Sequence, residues 1–272
     1  MSAAELTTNA SLAQVRRLEA VSFRAWPSTN TQYDGTWVLR LSAGHPSKRI
    51  NSVNPLDRGD NRDIETRVER ATQRFQSFGR PLIFRQTPLM PLSLIELLDQ
   101  RGWSYKGESL VMTVPLASMD FSAAIEQLPF KDVGHWVDHA LALRGRPKSH
   151  KPGLSELIDF IQPDKGLFLV EDNRQEPVAT ALCVHDTDMA GLFEVATSES
   201  RLRQGFARQL VSTSMQWAYK RGASVGWLQV EADNEPALNL YKSMGFSESY
   251  RYVYRLAPSE EPLDDLVPAA SE

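Results

Sequence analysis

Two stretches of the chain read alike. Residues 74–114 (RFQSFGRPLIFRQTPLMPLSLIELLDQRGWSYKGESLVMTV) run helix end, Gly, strand, loop, helix, Gly-aromatic, strand. Residues 217–256 (WAYKRGASVGWLQVEADNEPALNLYKSMGFSESYRYVYRL) run through the same series. Gly79 and Gly102 are 23 residues apart, as are Gly222 and Gly245, and Trp103 follows the first pair as Phe246 follows the second. The offset is 143 residues and extends backward without a gap. Segment 49–54 (RINSVN) falls on 192–197 (LFEVAT), both strand-like. A helix carrying Ile64, Val68, Ala71, Phe75 and Phe78 falls on one carrying Ala207, Leu210, Val211, Ser214 and Ala218. The first set has the spacing of one face of an amphipathic helix. Identity between the copies is very low, so the repeat is one of pattern, set against the alternative that any two strand–helix–strand units look alike.

A chain of 272 residues can hold one large domain or two such halves, with ample material for a core. At 42% hydrophobic and 24% charged residues it is not a disordered chain. The single cysteine, Cys183, excludes an intrachain disulfide and cysteine-rich zinc sites. A net charge of −4 gives no global basic field, so no nucleic-acid partner is expected. No apolar run approaches the roughly 18–20 residues that span a bilayer, and MSAAELTTNASLAQVRR lacks a basic-then-apolar leader pattern. The expectation is a soluble cytoplasmic protein, monomer or homodimer, with no membrane partner.

The coarse map places helices at 12–23, 61–77, 92–101, 133–143, 154–161, 206–220 and 236–244. Strands are expected at 35–42, 49–54, 81–86, 108–114, 166–171, 177–185, 190–197, 224–230 and 250–256. Residues 1–9 read as a loose start, 115–130 as a junction and the Pro-, Ala- and acid-rich end as a flexible tail.

Chemistry concentrates in two segments. In EVATSESRLRQGFARQLV (194–211) a strand runs into a polar loop, a Gly and an apolar-periodic helix. Gly205 permits close backbone approach and Ala207 is nearly as small. A helix N-terminus offers unpaired N–H groups and a positive dipole end, a cradle suited to a pyrophosphate, with Arg201, Arg203 and Arg208 adding charge. Taken alone, this is also what an ordinary tight strand–helix turn looks like. About thirty residues on, VEADNEPALNLYKSMGF (230–246) places Asn234 or Asp233 to cap a helix, Pro236 in its first turn and Gly245 at its end. Tyr241 lies on the helix face of Ala237, Leu240 and Met244, as a core aromatic or a proton donor.

Together, and in this order, residues 165–256 resemble the GNAT superfamily of acyl-CoA-dependent N-acetyltransferases. The resemblance implies a strand that splays from its neighbour, acetyl-CoA as cosubstrate in the gap, and no metal. It implies pyrophosphate contacts from Arg203, Gln204, Gly205, Phe206, Ala207 and Arg208. Val195, Ala196 and Thr197 would hold the pantetheine and the acetyl carbonyl by their backbone, Asn234 would touch the cofactor arm, and Tyr241 would protonate the leaving thiolate. One position departs: the Arg or Gln usual three residues before the first Gly is Leu202 here. The implied reaction is direct attack of a neutral amine on the thioester, with a backbone N–H near Ala196 for the oxyanion. Glu194 is the first candidate for the base, acting through water, and Glu231 the second. For each the alternative is a solvated or salt-bridged carboxylate.

Other features are weighed and set aside. His135 and His139 have metal-capable i, i+4 spacing, but no third ligand is obvious and a surface face is the simpler reading. The basic run RGRPKSHK (144–151) is a solvated loop or a clamp for an acidic acceptor or the CoA 3′-phosphate. Cys183, in a buried strand, reads as structural. At the 143-residue offset Arg62 stands for Gly205, Pro91 for Asn234 and Leu98 for Tyr241, so the first copy lacks the cofactor residues. Phe23, Trp26, Tyr33 and Trp37 would pack a core or line an acceptor wall.

The expected fold is α/β (α+β): two GNAT-like mixed sheets flanked by helices, with the N-terminal half degenerate. The expected division is 1–116, a catalytic 117–258 and a tail 259–272. The expected function is acetyl transfer to a primary amine of a small molecule or peptide. The alternative is a non-catalytic acyl-CoA-binding regulatory or interaction module.

Overall fold

A computed structural model describes residue 6 and residues 8–174 and 176–258. In chain order the elements are α1 (Leu12–Ala25), β1 (Asn30–Asp34), β2 (Trp37–Leu41), β3 (Ser52–Pro55), α2 (Ile64–Ser77), β4 (Ile83–Gln86), α3 (Leu92–Gln100) and β5 (Ser104–Pro115). There follow α4 (Val133–Leu143), α5 (Lys151–Phe160), β6 (Asp164–Glu171), β7 (Pro177–Asp186), β8 (Met189–Thr197), α6 (Phe206–Tyr219), β9 (Val225–Glu231), α7 (Glu235–Ser243) and β10 (Ser247–Leu256). They form two compact units, neither continuous in sequence. Of the described residues, the first takes those up to 111, 231–233 and 248–258, and the second takes those from 112 to 230 and 234–247. The expected cut at 116/117 would have left β10 with the later half, whereas its residues from 248 onward belong to the first unit. The tail expected at 259–272 lies outside the described residues.

In the first unit α1 begins at a capping box, in which Ser11 Oγ accepts from Gln14 N at 3.3 Å and Gln14 Oε1 accepts from Ser11 N at 2.8 Å. Its strands are ordered β1-β2-β3-β4-β10-β5. β1 to β3 are antiparallel neighbours, β3 and β4 are parallel at Val53 and Phe84, and β10 runs antiparallel to β4 from Val253 against Gln86 to Leu256 against Ile83. α2 and α3 contribute Val68, Phe75, Leu94 and Leu98 to the core. Trp37, Phe84 and Trp103 meet edge to face there, with centroids 5.5 Å apart at each contact. Trp26 and Trp37 are therefore core residues, while Tyr33 is 75% exposed. Behind the sheet lies a polar cluster. Glu19, on the inward face of α1, accepts from the Arg85 guanidinium and from the Tyr250 hydroxyl, and Arg85 stacks 3.7 Å over the Tyr252 ring.

The second unit orders its strands β5-β9-β8-β7-β6. β6, β7 and β8 form an antiparallel meander, and β9 runs parallel to β8. Helices α4 and α6 pack on β7, which explains why β7 reads as an almost unbroken apolar run with Cys183 fully buried. Gly191 of β8 lets Trp227 of β9 lie against the backbone, since a Cβ there would stand 2.5 Å from Trp227 Cζ2. No helix among the described residues is long and apolar enough to cross a membrane.

Candidate active site

The site begins where β8 leaves β9. The two strands pair over four residues, 189–192 against 225–228. β8 then runs on to Thr197, and β9 runs on past Leu228, without pairing to each other. The cause is a bulge in β8. Thr180 pairs with Ala196 and Leu182 with Phe193, so Glu194 and Val195 together face Ala181. Glu194 takes a left-handed φ of 47°, and its carbonyl accepts from Thr180 Oγ1 at 3.1 Å. The bulge bends β8 away from β9 and leaves a wedge between them, and at the end of β8 the Thr197 Oγ1 atom is buried without a hydrogen-bond partner.

The chain then turns back on itself. Ser198 N donates to Val178 O at 2.8 Å, and a short 3-10 turn leads to Arg203 (φ 59°) and Gly205 (φ 87°). Gly205 is the N-cap of α6, a 14-residue helix, and no side chain caps it. A Cβ on Gly205 would meet nothing within 4 Å, so its conformation and not crowding calls for Gly. The first-turn N–H groups of α6 thus follow the tail of β8 by a short loop and lie at the positive end of the helix dipole.

Of the three arginines around the loop, two are engaged. Arg201 pairs with Asp172 at 3.5 Å, and N–H groups of Arg174 and Glu176 hold that carboxyl below the usual carboxylate range. Arg208 donates to Ser243 Oγ at 2.6 Å, tying the first turn of α6 to the last turn of α7. Arg203 and Gln204 are exposed, and Phe206 and Ala207 are half-buried. Leu202 is 47% exposed, an apolar side chain where the resemblance leads one to expect Arg or Gln.

Asn234 caps α7, its Oδ1 accepting from Ala237 N at 3.1 Å. Tyr241, on the same helix, is buried, with its ring edge on Phe246 at 5.8 Å. The structure thus groups the β8 tail, the loop and α6, and links α7 to them through Arg208.

Sequence reasoning missed the setting of Glu194. Its side chain is 9% exposed, and Oε2 lies 2.8 Å from Arg144 Nε and 3.3 Å from Arg146 Nη1. Arg144 also donates to Val195 O at 3.0 Å. Two guanidinium groups thus flank one carboxylate, Arg146 donating a hydrogen bond to it and Arg144 pairing with it by charge. The basic run after α4 is likewise committed at three places, because Lys151 pairs with Asp138 at 2.7 Å. The signal available in sequence was the clustering of Arg144 and Arg146, without the identity of their partner.

The observations suit an acyl-CoA: two strands that part, an unpartnered buried hydroxyl at the end of one of them, and an uncapped helix N-terminus behind a glycine with open space.

Comparison with known proteins agrees. Residues 12–255 match the family described as "Probable histone acetyltransferase Rv0428c C-terminal". The uncharacterized N-acetyltransferase YobR of Bacillus subtilis (strain 168) is 27% identical over 251 residues, 89% of this chain and 98% of that protein. A ribosomal protein bS18-alanine N-acetyltransferase of Escherichia coli (strain K12) is 40% identical over 62 residues, 23% of this chain and 42% of that protein. Two solved structures share the fold. A GCN5-related N-acetyltransferase from Kribbella flavida has a TM-score of 0.63 at 18% identity, over 92% of this chain and 97% of that one. A tandem GNAT protein from the clavulanic acid biosynthesis pathway has 0.58 at 12%, over 90% and 89%. With the wedge and the loop in place and 12–255 matched, the chain belongs to the Rv0428c C-terminal acetyltransferase family of the GNAT superfamily, and it is an acyltransferase.

Proposed function

We propose that this protein transfers an acetyl group from acetyl-CoA to a primary amine of a small molecule or a peptide. The observation that carries the reading is the parting of β8 from β9 at a bulge directly ahead of the Gly205 loop. Acetyl-CoA supplies the activated thioester. N–H groups of Gln204, Gly205, Phe206, Ala207 and Arg208 bind its pyrophosphate, with the Arg203 side chain adding charge. Backbone groups of Val195, Ala196 and Thr197 hold the pantetheine, and an N–H near Ala196 donates to the developing oxyanion. The Asn234 side chain steadies the cofactor arm, and the Tyr241 hydroxyl gives its proton to the leaving sulfur.

Glu194 keeps its place at the site, but its two guanidinium partners favour a positioning role: it locks the bulge to the segment after α4. The amine proton then passes to water. A base role through water would leave a limb in the pH–rate profile that Glu194→Gln removes.

A peptide amine has support in the relatives. One acts, by its name, on an alanine of ribosomal protein bS18, and the family is described by histones. The remaining reading goes with this: a cytoplasmic enzyme, monomer or homodimer, with two related halves of which the first has lost the cofactor residues. In support, α3 and α7 begin and end 143 residues apart.

The test is an amine-panel acetylation assay with mass detection. Tyr241→Phe should lower kcat by about 10²–10⁴-fold with acetyl-CoA binding nearly intact. An unchanged kcat removes Tyr241 from the acid role. Thermal stabilisation by acetyl-CoA with no turnover of any amine would favour a binding module, the reading to which the exposed Leu202 lends weight.

A further inference from the structure

On sequence His135 and His139 lacked a third ligand, and the fold supplies one. One turn apart on α4, they direct Nε2 atoms to the same oxygen of Glu171, the last residue of β6. His135 Nε2 lies 3.0 Å and His139 Nε2 3.1 Å from Glu171 Oε1, and the two nitrogens are 3.2 Å apart. Among the described residues this is the one cluster of three or more His, Cys, Asp or Glu side chains with ligand atoms this close.

The triangle has the dimensions of a metal face. Ligands bound at about 2.1 Å are about 3.0 Å apart at right angles and about 3.4 Å apart in a tetrahedron. The three observed separations lie within this range, and an ion about 2.1 Å from each atom would sit about 1.1 Å above their plane. The side chains are 43%, 17% and 23% exposed, so an ion here is reachable from solvent and keeps water as a further ligand.

The segments that carry His135 and Glu171 are also held in place. Asp132 Oδ1 accepts from His135 N at 2.9 Å, which fixes the first turn of α4. The Phe130 ring stacks on the His135 imidazole, 15° from parallel. A register shift at Val170 and Glu171 re-aims the end of β6. Asp172 Oδ1 then accepts from the N–H groups of Arg174 and Glu176 at 2.8 and 3.1 Å, which rigidifies the turn after Glu171. These contacts fix the backbone at His135 and beyond Glu171 and stack one imidazole face.

We propose that His135, His139 and Glu171 form a site for a divalent transition-metal ion of the zinc type. Two imidazoles and a carboxylate suit zinc, with cobalt and nickel as stand-ins. The ion pins α4 to β6. It thereby fixes the helix after which Arg144 and Arg146 reach Glu194.

The experiment uses the full chain without a histidine tag, freed of metal by chelator and dialysed against micromolar Zn²⁺. One equivalent should bind. Co²⁺ should show visible absorption bands that Zn²⁺ displaces. His139→Ala and the near-isosteric Glu171→Gln should each weaken Zn²⁺ binding by at least about tenfold, with far-UV circular dichroism unchanged for Glu171→Gln. His150→Ala and His185→Ala should leave binding intact. The proposal is overturned if no Zn²⁺ binds, if Glu171→Gln binds as tightly as wild type, or if the ion is lost with His150 or His185.

Discussion

Glu19→Gln is a severe test of how the first unit is held together. Glu19 and Arg85 are almost wholly excluded from solvent, and both oxygens of Glu19 are used, one by Arg85 and one by the Tyr250 hydroxyl. Gln keeps the shape and one accepting oxygen but removes the charge. Arg85 is then a buried cation without a carboxylate. Arg40 lies in the same region, pushed down to about 9 by burial and then by Arg85, with Glu19 acting against both. Removing Glu19 leaves the two guanidinium groups to repel one another. Breaking a buried pair in this way costs about 3–5 kcal/mol, or roughly 6–20 °C in Tm at about 2–4 °C per kcal/mol. The control is Arg16→Gln, whose partner Asp57 and own side chain are about half exposed, and which should cost about 0–1 kcal/mol. Urea unfolding at pH 7, followed by circular dichroism at low and high salt, reads both. The Glu19→Gln loss should persist in high salt, because a buried pair is little screened. Replacing the pair together, Glu19→Leu with Arg85→Met, should recover much of the loss. If Glu19→Gln costs no more than Arg16→Gln, the cluster does not stabilise the unit.

Two further outcomes follow from groups elsewhere in the fold. Burial alone would raise the Asp60 carboxyl, but bonds from the Thr36 hydroxyl and N–H and the Arg67 guanidinium outweigh it and hold the group below its ordinary value. Its contribution is therefore complete above about pH 4 and lost as pH falls through the folded value, so the urea midpoints of wild type and Asp60→Asn should differ at pH 6 and draw together as the pH is lowered below the ordinary carboxylate range; a gap unchanged by acid refutes the assignment. Burial pushes the Cys183 thiol well up, with Arg221 opposing only in part, so a thiol reagent at pH 8 should label the native protein slowly and the urea-unfolded chain fully, and rapid native labelling would contradict the packing of β7.

Most elements were legible because their apolar residues repeat at helical or strand spacing. The helix expected at 133–143 is α4, residue for residue. β1 escaped because NTQYD is polar and largely exposed, so it has no alternation to read. The glycine loop and Asn234 were legible because local backbone demands select those residue types. Glu19 was not, because a polar residue on an amphipathic helix reads as surface until its partners are known, and these lie 66 and 231 residues away. Glu171 was hidden in the same way, 36 residues from His135. Nor can a sequence announce that Glu194 takes a positive φ, since the bulge depends on which residues of β7 it faces.

The position of β10 in the first unit has a consequence for how this protein is made. Between β4 and β5 of that unit lies a strand the ribosome delivers long after both. Residues 1–111 emerge long before 248–256, and at about 5–20 residues per second the interval is roughly 7–30 s. Throughout it β4 and β5 carry open edges that can recruit neighbouring chains. The nascent first unit must wait, guarded or at risk, while the β6–β7–β8 meander of the second is already complete. A stop codon or a protease cut near residue 246 would therefore strike residues up to 111 through a strand made long after them.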